Sequence, residues 1–163
     1  MKQLLIVFHS MTGAAEHLAG AAAAGARDES DVETRLVTAA QAGVDDMLIA
    51  DAYLFATPEN LASVAGLMKD FFDRVYYPVL DRINGRPYAV IIAAGTDGTG
   101  AARQVQRIAT GLRLREIAPP LVVRNGADTP AAILAPKVVS APDLARAREL
   151  GAGLAAGLAS GIF

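Results

Sequence analysis

Short apolar runs separated by longer helical segments constrain the fold of this chain more than any other feature. Uninterrupted apolar runs of strand length occupy residues 4–8, 52–56, 88–94 and 121–123, and residues 32–37 form a weaker, alternating run. Strands that are apolar on both faces are typical of the centre of a parallel sheet that helices cover on each side. The pattern therefore predicts an α/β fold.

Between and after these runs lie segments with the composition and spacing of helices, at residues 14–26, 63–79, 99–114 and 142–158. Strands and helices that alternate in this way build parallel sheets through right-handed crossovers. We expect a three-layer, doubly wound sheet of five parallel strands in a single domain over residues 1–163. Residues 125–139, which contain Pro130 and Pro136, are predicted to be a loop that leads into the last helix.

Composition and charge exclude several classes of function. The chain is 53% apolar and 20% charged, which is typical of a folded protein, and its net charge of −2 without a basic run argues against nucleic acid as a partner. It has no cysteine, which excludes disulfides, thiolate catalysis and Cys-ligated metal sites, and it has only two histidines. No apolar stretch reaches the roughly 18 residues of a membrane span, so we expect a cytoplasmic protein with no membrane span.

The loop after the first strand is the first candidate for binding chemistry. It reads His-Ser-Met-Thr-Gly over residues 9–13 and places two hydroxyls and a glycine just before a predicted helix. The amino terminus of a helix has unpaired N–H groups and a positive dipole end, so it can bind a phosphate without Lys or Arg. The Walker pattern of nucleoside triphosphate sites is absent. Alternatively, Ser10 or Thr12 only caps the helix.

Two further loops follow the third and fourth predicted strands. Pro58 comes directly after a strand, fixes an extended turn, and is expected to leave the N–H groups of residues 59–61 free for a ligand. Residues 95–100 read Gly-Thr-Asp-Gly-Thr-Gly, whose glycines allow a flat ligand to approach the backbone closely. Each loop alone is equally typical of an ordinary turn. Because ligands bind at the carboxyl ends of strands in an open parallel sheet, three such loops on one edge favour a ligand site.

Together these loops resemble the flavodoxin-like family, in its branch of NAD(P)H-dependent flavin mononucleotide (FMN) reductases and quinone-reductase-like flavodoxins. The resemblance spans roughly residues 2–123 and is most specific at residues 10–13, 57–60 and 68–74. It implies the strand order 2-1-3-4-5, FMN as cofactor, NADPH or NADH as transient electron donor, no catalytic side chain and no metal ligand. The residues that it assigns to cofactor binding are His9, Ser10, Met11, Thr12, Gly13, Ala14, Ala15, Thr57, Pro58, Glu59, Asn60, Leu61, Gly95, Thr96, Asp97 and Gly98.

The chain departs from the family pattern at Ala15, where a Ser or Thr is usual. The loss of that hydroxyl costs about 1 kcal/mol of phosphate binding. Neither loop that would border the flavin ring contains Trp or Tyr. His9 either adds positive charge near the phosphate or only ends the strand.

The resemblance implies an FMN-dependent oxidoreductase that passes electrons from NAD(P)H to a quinone or another small acceptor, as a homodimer or homotetramer. One alternative with the same fold is an electron carrier, although a net charge of −2 offers little electrostatic steering. Another is a module that has weak or no flavin binding. A response-regulator receiver is excluded because Ala56 and Thr57 stand where it needs an acidic residue, and a low-molecular-weight phosphatase is excluded because it needs a cysteine.

Overall fold

The computed structural model describes all 163 residues of the chain. Its strands are β1 (Lys2–Phe8), β2 (Val32–Thr38), β3 (Ala52–Asn60), β4 (Ser63–Val64), β5 (Pro87–Ala94), β6 (Arg115–Glu116) and β7 (Leu121–Arg124). Its helices are α1 (Ala14–Ala26), α2 (Val44–Ile49), α3 (Gly66–Val79), α4 (Thr99–Gly111), α5 (Pro130–Leu134) and α6 (Ala141–Ala159). None of these helices is both long enough and apolar enough to cross a membrane.

The sheet has the predicted doubly wound order, but its strand count differs from the prediction. Strands β2, β1, β3 and β5 are neighbours in that order, and β6 and β7 both pair with β5 at the far edge. The sheet has seven strands rather than the predicted five. The edge strand is split in two, and the chain turns back after β3 to form the antiparallel β4. Pro119 and Pro120 lie between β6 and β7, and proline has no N–H to donate to a sheet ladder.

Helices cover both faces of the sheet, which confirms the predicted three layers. Helices α1 and α6 pack on one face with a core of 22 buried residues, and α2, α3 and α4 pack on the other with a core of 26. Successive residues of β1 divide between the two cores: Leu4 and Ile6 belong to the core under α1 and α6, and Leu5 and Val7 to the core under α2, α3 and α4. The uninterrupted apolar runs therefore reflect strands that are buried on both faces.

The first and last helices approach each other unusually closely. A Cβ at Gly151 of α6 would lie 2.0 Å from the carbonyl oxygen of Ala22 in α1, and a Cβ at Gly25 would lie 2.1 Å from the carbonyl oxygen of Arg148. Only glycine fits at these two positions, because a side chain would have to displace backbone atoms.

The structure corrects two of the predicted helix bounds and one predicted loop. The third helix begins at Gly66 rather than at residue 63, because Ser63 and Val64 pair with β3. The fourth helix ends at Gly111 rather than at residue 114. The predicted loop at residues 125–139 contains the short helix α5, which begins with Pro130 after its N-cap Thr129. Proline is well suited to the first turn of a helix.

Candidate functional site

A cleft of about 510 Å³ opens at the carboxyl edge of the sheet. This volume lies within the usual range of small-molecule sites, roughly 300–1,000 Å³. The three loops predicted to meet do meet here, and a fourth segment completes the wall. The lining residues are Ser10, Met11, Thr12, Ala14, Ala15, Pro58, Glu59, Asn60, Leu61, Ala62, Ala93, Ala94, Gly95, Thr96, Asn125, Ala127, Ile133 and Lys137.

The first loop leaves the amino terminus of α1 open to the cleft. Its N-cap is Gly13, whose φ of 105° is readily adopted only by glycine, and no side chain caps the helix. The Ser10 hydroxyl instead accepts a hydrogen bond from the N–H of Gly13 at 3.0 Å, and the Thr12 hydroxyl has no partner within the chain. Because Ala14 and Ala15 line the cleft, the unpaired N–H groups of the first helical turn are available to an anion there.

The second loop is a β-hairpin rather than the predicted open turn. Strand β3 continues to Asn60, and Glu59 and Asn60 pair with Val64 and Ser63 of β4. The predicted open turn is therefore wrong, and only Leu61 and Ala62 lie outside the strand pairing. At the tip, Leu61 and Ala62 both have positive φ, of 51° and 60°, as a two-residue type I′ turn requires.

The carboxylate of Glu59 joins the second loop to the third. Its Oε1 accepts a hydrogen bond from the N–H of Gly98 at 2.8 Å, and its Oε2 accepts one from the N–H of Ala101 at 3.0 Å. These donors belong to the N-cap and first turn of α4. The amino terminus of α4 is therefore filled by a protein carboxylate, whereas that of α1 is open.

The third loop contributes only its first half to the cleft. Gly95 and Thr96 line it, whereas Asp97 and Gly98 do not. Asp97 turns to the Thr99 hydroxyl, which donates to its carboxylate at 2.8 Å and lowers the pKa of Asp97. Gly98 is buried with a φ of 98°, and a Cβ there would lie 2.5 Å from the Val122 side chain. The role of these two residues is to hold the turn rather than to face the cleft.

Residues 125–139, which we call the strap, form the fourth wall. Two backbone hydrogen bonds fix its start to the third loop, from the N–H of Asn125 to the oxygen of Ala94 at 2.9 Å and from the N–H of Gly126 to the oxygen of Gly95 at 2.8 Å. Near its end, the N–H of Lys137 donates to the carbonyl oxygen of Thr12 at 2.8 Å. The strap therefore runs across the cleft from the third loop to the first.

The cleft residues of the strap, Asn125, Ala127, Ile133 and Lys137, were not predicted. One available signal was that the strap follows the last strand, so it leaves the same edge of the sheet as the other loops. No local pattern marks its return to Thr12, because that contact joins residues 125 positions apart and forms through the backbone.

Three other predicted residues do not line the cleft. His9, Gly13 and Thr57 are absent from the lining. Burial lowers the pKa of His9, which disfavours a positive charge on its ring. Thr57 is fully buried, and its hydroxyl donates to the carbonyl oxygen of Pro58 at 3.0 Å.

The cleft has apolar lining residues, but none of them is aromatic. No Phe, Tyr or Trp is among its lining residues, which agrees with the lack of Trp and Tyr in the second and third loops. The large apolar side chains there are Met11, Leu61 and Ile133, all of them substantially exposed. A flat ligand would contact aliphatic rather than aromatic side chains.

A family model described as NADPH-dependent FMN reductase matches residues 17–128. The match covers the second and third loops but begins after the first loop and ends within the strap. A flavodoxin of Aquifex aeolicus (strain VF5) is 31% identical over 100 residues, which are 61% of this chain and 54% of that protein. The alignment thus spans about half the length of that relative.

Several solved structures share the fold over nearly the whole chain. A flavodoxin from the domain Archaea has a TM-score of 0.77 at 15% identity, covering 96% of this chain and 98% of that one. The WrbA-like flavodoxin from Agrobacterium tumefaciens has a TM-score of 0.77 at 18% identity, covering 98% and 99%. Rubredoxin oxygen:oxidoreductase from Desulfovibrio gigas has a TM-score of 0.80 at 15% identity, but this chain covers only 37% of it. At these identities the likeness shows the fold alone.

Proposed function

Because the chain belongs to the family of NADPH-dependent FMN reductases, we propose that it binds FMN in the carboxyl-edge cleft and passes electrons from NADPH or NADH to a small acceptor such as a quinone. The phosphate is held by the first loop, through the N–H groups at the start of α1 and the hydroxyls of Ser10 and Thr12. The ring is bordered by the hairpin tip and by Gly95 and Thr96.

The open amino terminus of α1 is the observation that carries this proposal. Both α1 and α4 begin at the carboxyl edge beside the cleft, yet only α4 has its first-turn donors filled, by Glu59. The unfilled donors of α1 lie next to a cleft of suitable size. An anionic ligand satisfies them, and a phosphate monoester matches the geometry of several converging N–H groups.

The chemistry supplied by bound FMN is reversible electron transfer between the nicotinamide and the acceptor. This chain's own residues bind and orient the reactants and exclude water from them. None of them acts as acid or base, since both oxygens of Glu59 already accept backbone hydrogen bonds and His9 does not line the cleft. The apolar rim of Leu61 and Ile133 favours a ring-shaped, weakly polar acceptor.

Titration of the protein with FMN tests the proposal first. We expect saturable binding and a rise in the thermal midpoint that grows with FMN concentration. Thr12→Ala removes a hydroxyl that is unpaired in the chain, and should weaken FMN binding about tenfold. Thr110→Ala is the matched control, because its hydroxyl bonds within α4, away from the cleft. A protein that binds no FMN would refute the proposal.

Turnover separates the reductase from its alternatives. With FMN bound, we expect the protein to oxidise NADPH or NADH when a quinone is supplied. Binding of FMN with negligible turnover would instead indicate an electron carrier, and the absence of binding would indicate a module that has lost its cofactor. Sedimentation of the FMN-loaded protein tests the proposed homodimer or homotetramer. A cytoplasmic location fits a reaction that consumes a reduced nicotinamide nucleotide.

A further inference from the structure

The cleft has one cationic lining residue, Lys137, and its position was not foreseen from the motifs. Among the lining residues the only other charged one is Glu59, whose two oxygens already accept backbone hydrogen bonds. The first loop itself brings hydroxyls and N–H groups but no Lys or Arg. Any anion in the cleft therefore has a single side-chain cation within its walls.

The backbone of Lys137 rests directly on the first loop. Its N–H donates to the carbonyl oxygen of Thr12 at 2.8 Å. Its own carbonyl oxygen is 3.9 Å from the place where a Cβ at Gly13 would stand. Lys137 is thus fixed beside the residue that caps α1, at the end of the cleft where the helix presents its N–H groups.

The ammonium of Lys137 is held by two carbonyl oxygens and has one donor to spare. Its Nζ donates to the carbonyl oxygens of Ile133 at 2.8 Å and Ala135 at 2.6 Å, around the end of α5. An ammonium has three N–H donors, and the third has no partner within the chain. The side chain is half-buried and lines the cleft, so it is neither lost in solvent nor paired with a carboxylate.

We propose that Lys137 is a phosphate-binding residue, whose free N–H donates to the phosphate group of FMN on the first loop. This inference rests on the proposed function. A hydrogen bond between an ammonium and a dianionic phosphate is among the stronger ones in proteins. The strap then serves the site by carrying a positive charge to a loop that has none of its own.

Binding of FMN compared with that of riboflavin, which lacks the phosphate, tests the inference. Lys137→Met keeps an unbranched apolar side chain that is one heavy atom shorter, and removes the charge. It should raise the Kd of FMN about tenfold to hundredfold and leave the Kd of riboflavin within about twofold. Lys137→Arg should keep most of the affinity for FMN. Lys69→Met is the matched control, because it removes the same charge from the exposed face of α3.

Each outcome assigns a different cause. Equal weakening of FMN and riboflavin by Lys137→Met would overturn the inference, because the lysine would then only hold the strap in place. An unchanged Kd for FMN with a raised KM for NADPH would also overturn it, because the phosphate contacted would be that of the nucleotide. If the unaltered protein binds neither flavin, the proposed function itself fails. Thermal midpoints of the flavin-free variants show whether each remains folded.

Discussion

Glu59 shows how one side chain can set the relative position of two binding loops. It stands near the end of β3, and its carboxylate reaches across to the backbone of Gly98 and Ala101 at the start of α4. The hairpin and the start of α4 also touch at Gly100, where a Cβ would lie 2.1 Å from the carbonyl oxygen of Ala62 in the hairpin tip. The two sides of the cleft are therefore fixed to each other by a charged cap and by a glycine.

Glu59→Gln tests this coupling. The amide keeps one acceptor oxygen but turns an NH₂ group towards the other backbone N–H, so a charged double acceptor is lost. We expect the free energy of unfolding to fall by about 1–2 kcal/mol and FMN binding to weaken, as measured by chemical denaturation and flavin titration. Glu149→Gln on the exposed face of α6 makes no such contact and should change stability by less than about 0.5 kcal/mol. Equal effects of the two changes would contradict the assignment.

At the scale of single residues, the sequence predicted what local chemistry determines and missed what distant contacts determine. Ser10, Thr12 and Gly95 were found because hydroxyls and glycine stood where strands end. Glu59 was predicted to present its backbone N–H to a ligand, but its side chain makes the important contact. The two N–H groups that its carboxylate accepts from lie about 40 residues away in the sequence. Lys137 follows the same rule, since only the folded chain brings it to Thr12.

At the scale of elements, the sequence predicted the long elements that are buried along their length. The bounds of α1 agree with the prediction, and the buried strands were found within a few residues of their ends. The elements that were missed are short: α2 has six residues, α5 has five, and β4 and β6 have two each. A hydrophobic period can be recognised only over several turns of helix. A two-residue strand is defined by its pairing with another strand, which the local sequence does not reveal.

The crossing of α1 and α6 provides a test at this scale with a control two residues away. A side chain at Gly151 would meet the backbone of Ala22 at 2.0 Å, whereas a side chain at Gly153 on the same helix meets nothing within 4 Å. We expect Gly151→Ala to destabilise the protein by about 1–3 kcal/mol, because the helices must separate. Gly153→Ala should stabilise it by about 0.5–1 kcal/mol through helix propensity. Denaturation midpoints that move in the same direction would contradict this view of the interface.

At the scale of the whole molecule, two tyrosines in the core under α2, α3 and α4 make the free energy of unfolding depend on pH in the alkaline range. Burial raises the pKa of Tyr53 to about 12 and that of Tyr88 to about 12. In the unfolded chain both would lose their protons near pH 10. Between those values the unfolded state holds fewer protons than the folded state, so the free energy of unfolding falls as the pH rises from about 10 to about 12. Below pH 10 these groups contribute no pH dependence.

Tyr88→Phe should remove part of that alkaline fall while leaving the ring packed in the core. Tyr77→Phe is the matched control, since Tyr77 is 80% exposed. Denaturant midpoints measured from pH 8 to pH 12 compare the two variants with the unaltered protein. A fall in stability that stays the same without Tyr88 would show that other groups cause it.

The way the strap is attached bears on how this cleft could diversify. Its hydrogen bonds to Ala94, Gly95 and Thr12 join backbone to backbone. Attachment by these bonds therefore does not depend on which side chains the strap carries. Ile133, which lines the cleft, is exposed, as are Leu134 and Val138 elsewhere in the strap. Substitutions there can reshape what the cleft admits while the sheet and the helix termini stay as they are. The strap is therefore where we expect descendants of this chain, natural or engineered, to acquire new acceptor preferences most easily.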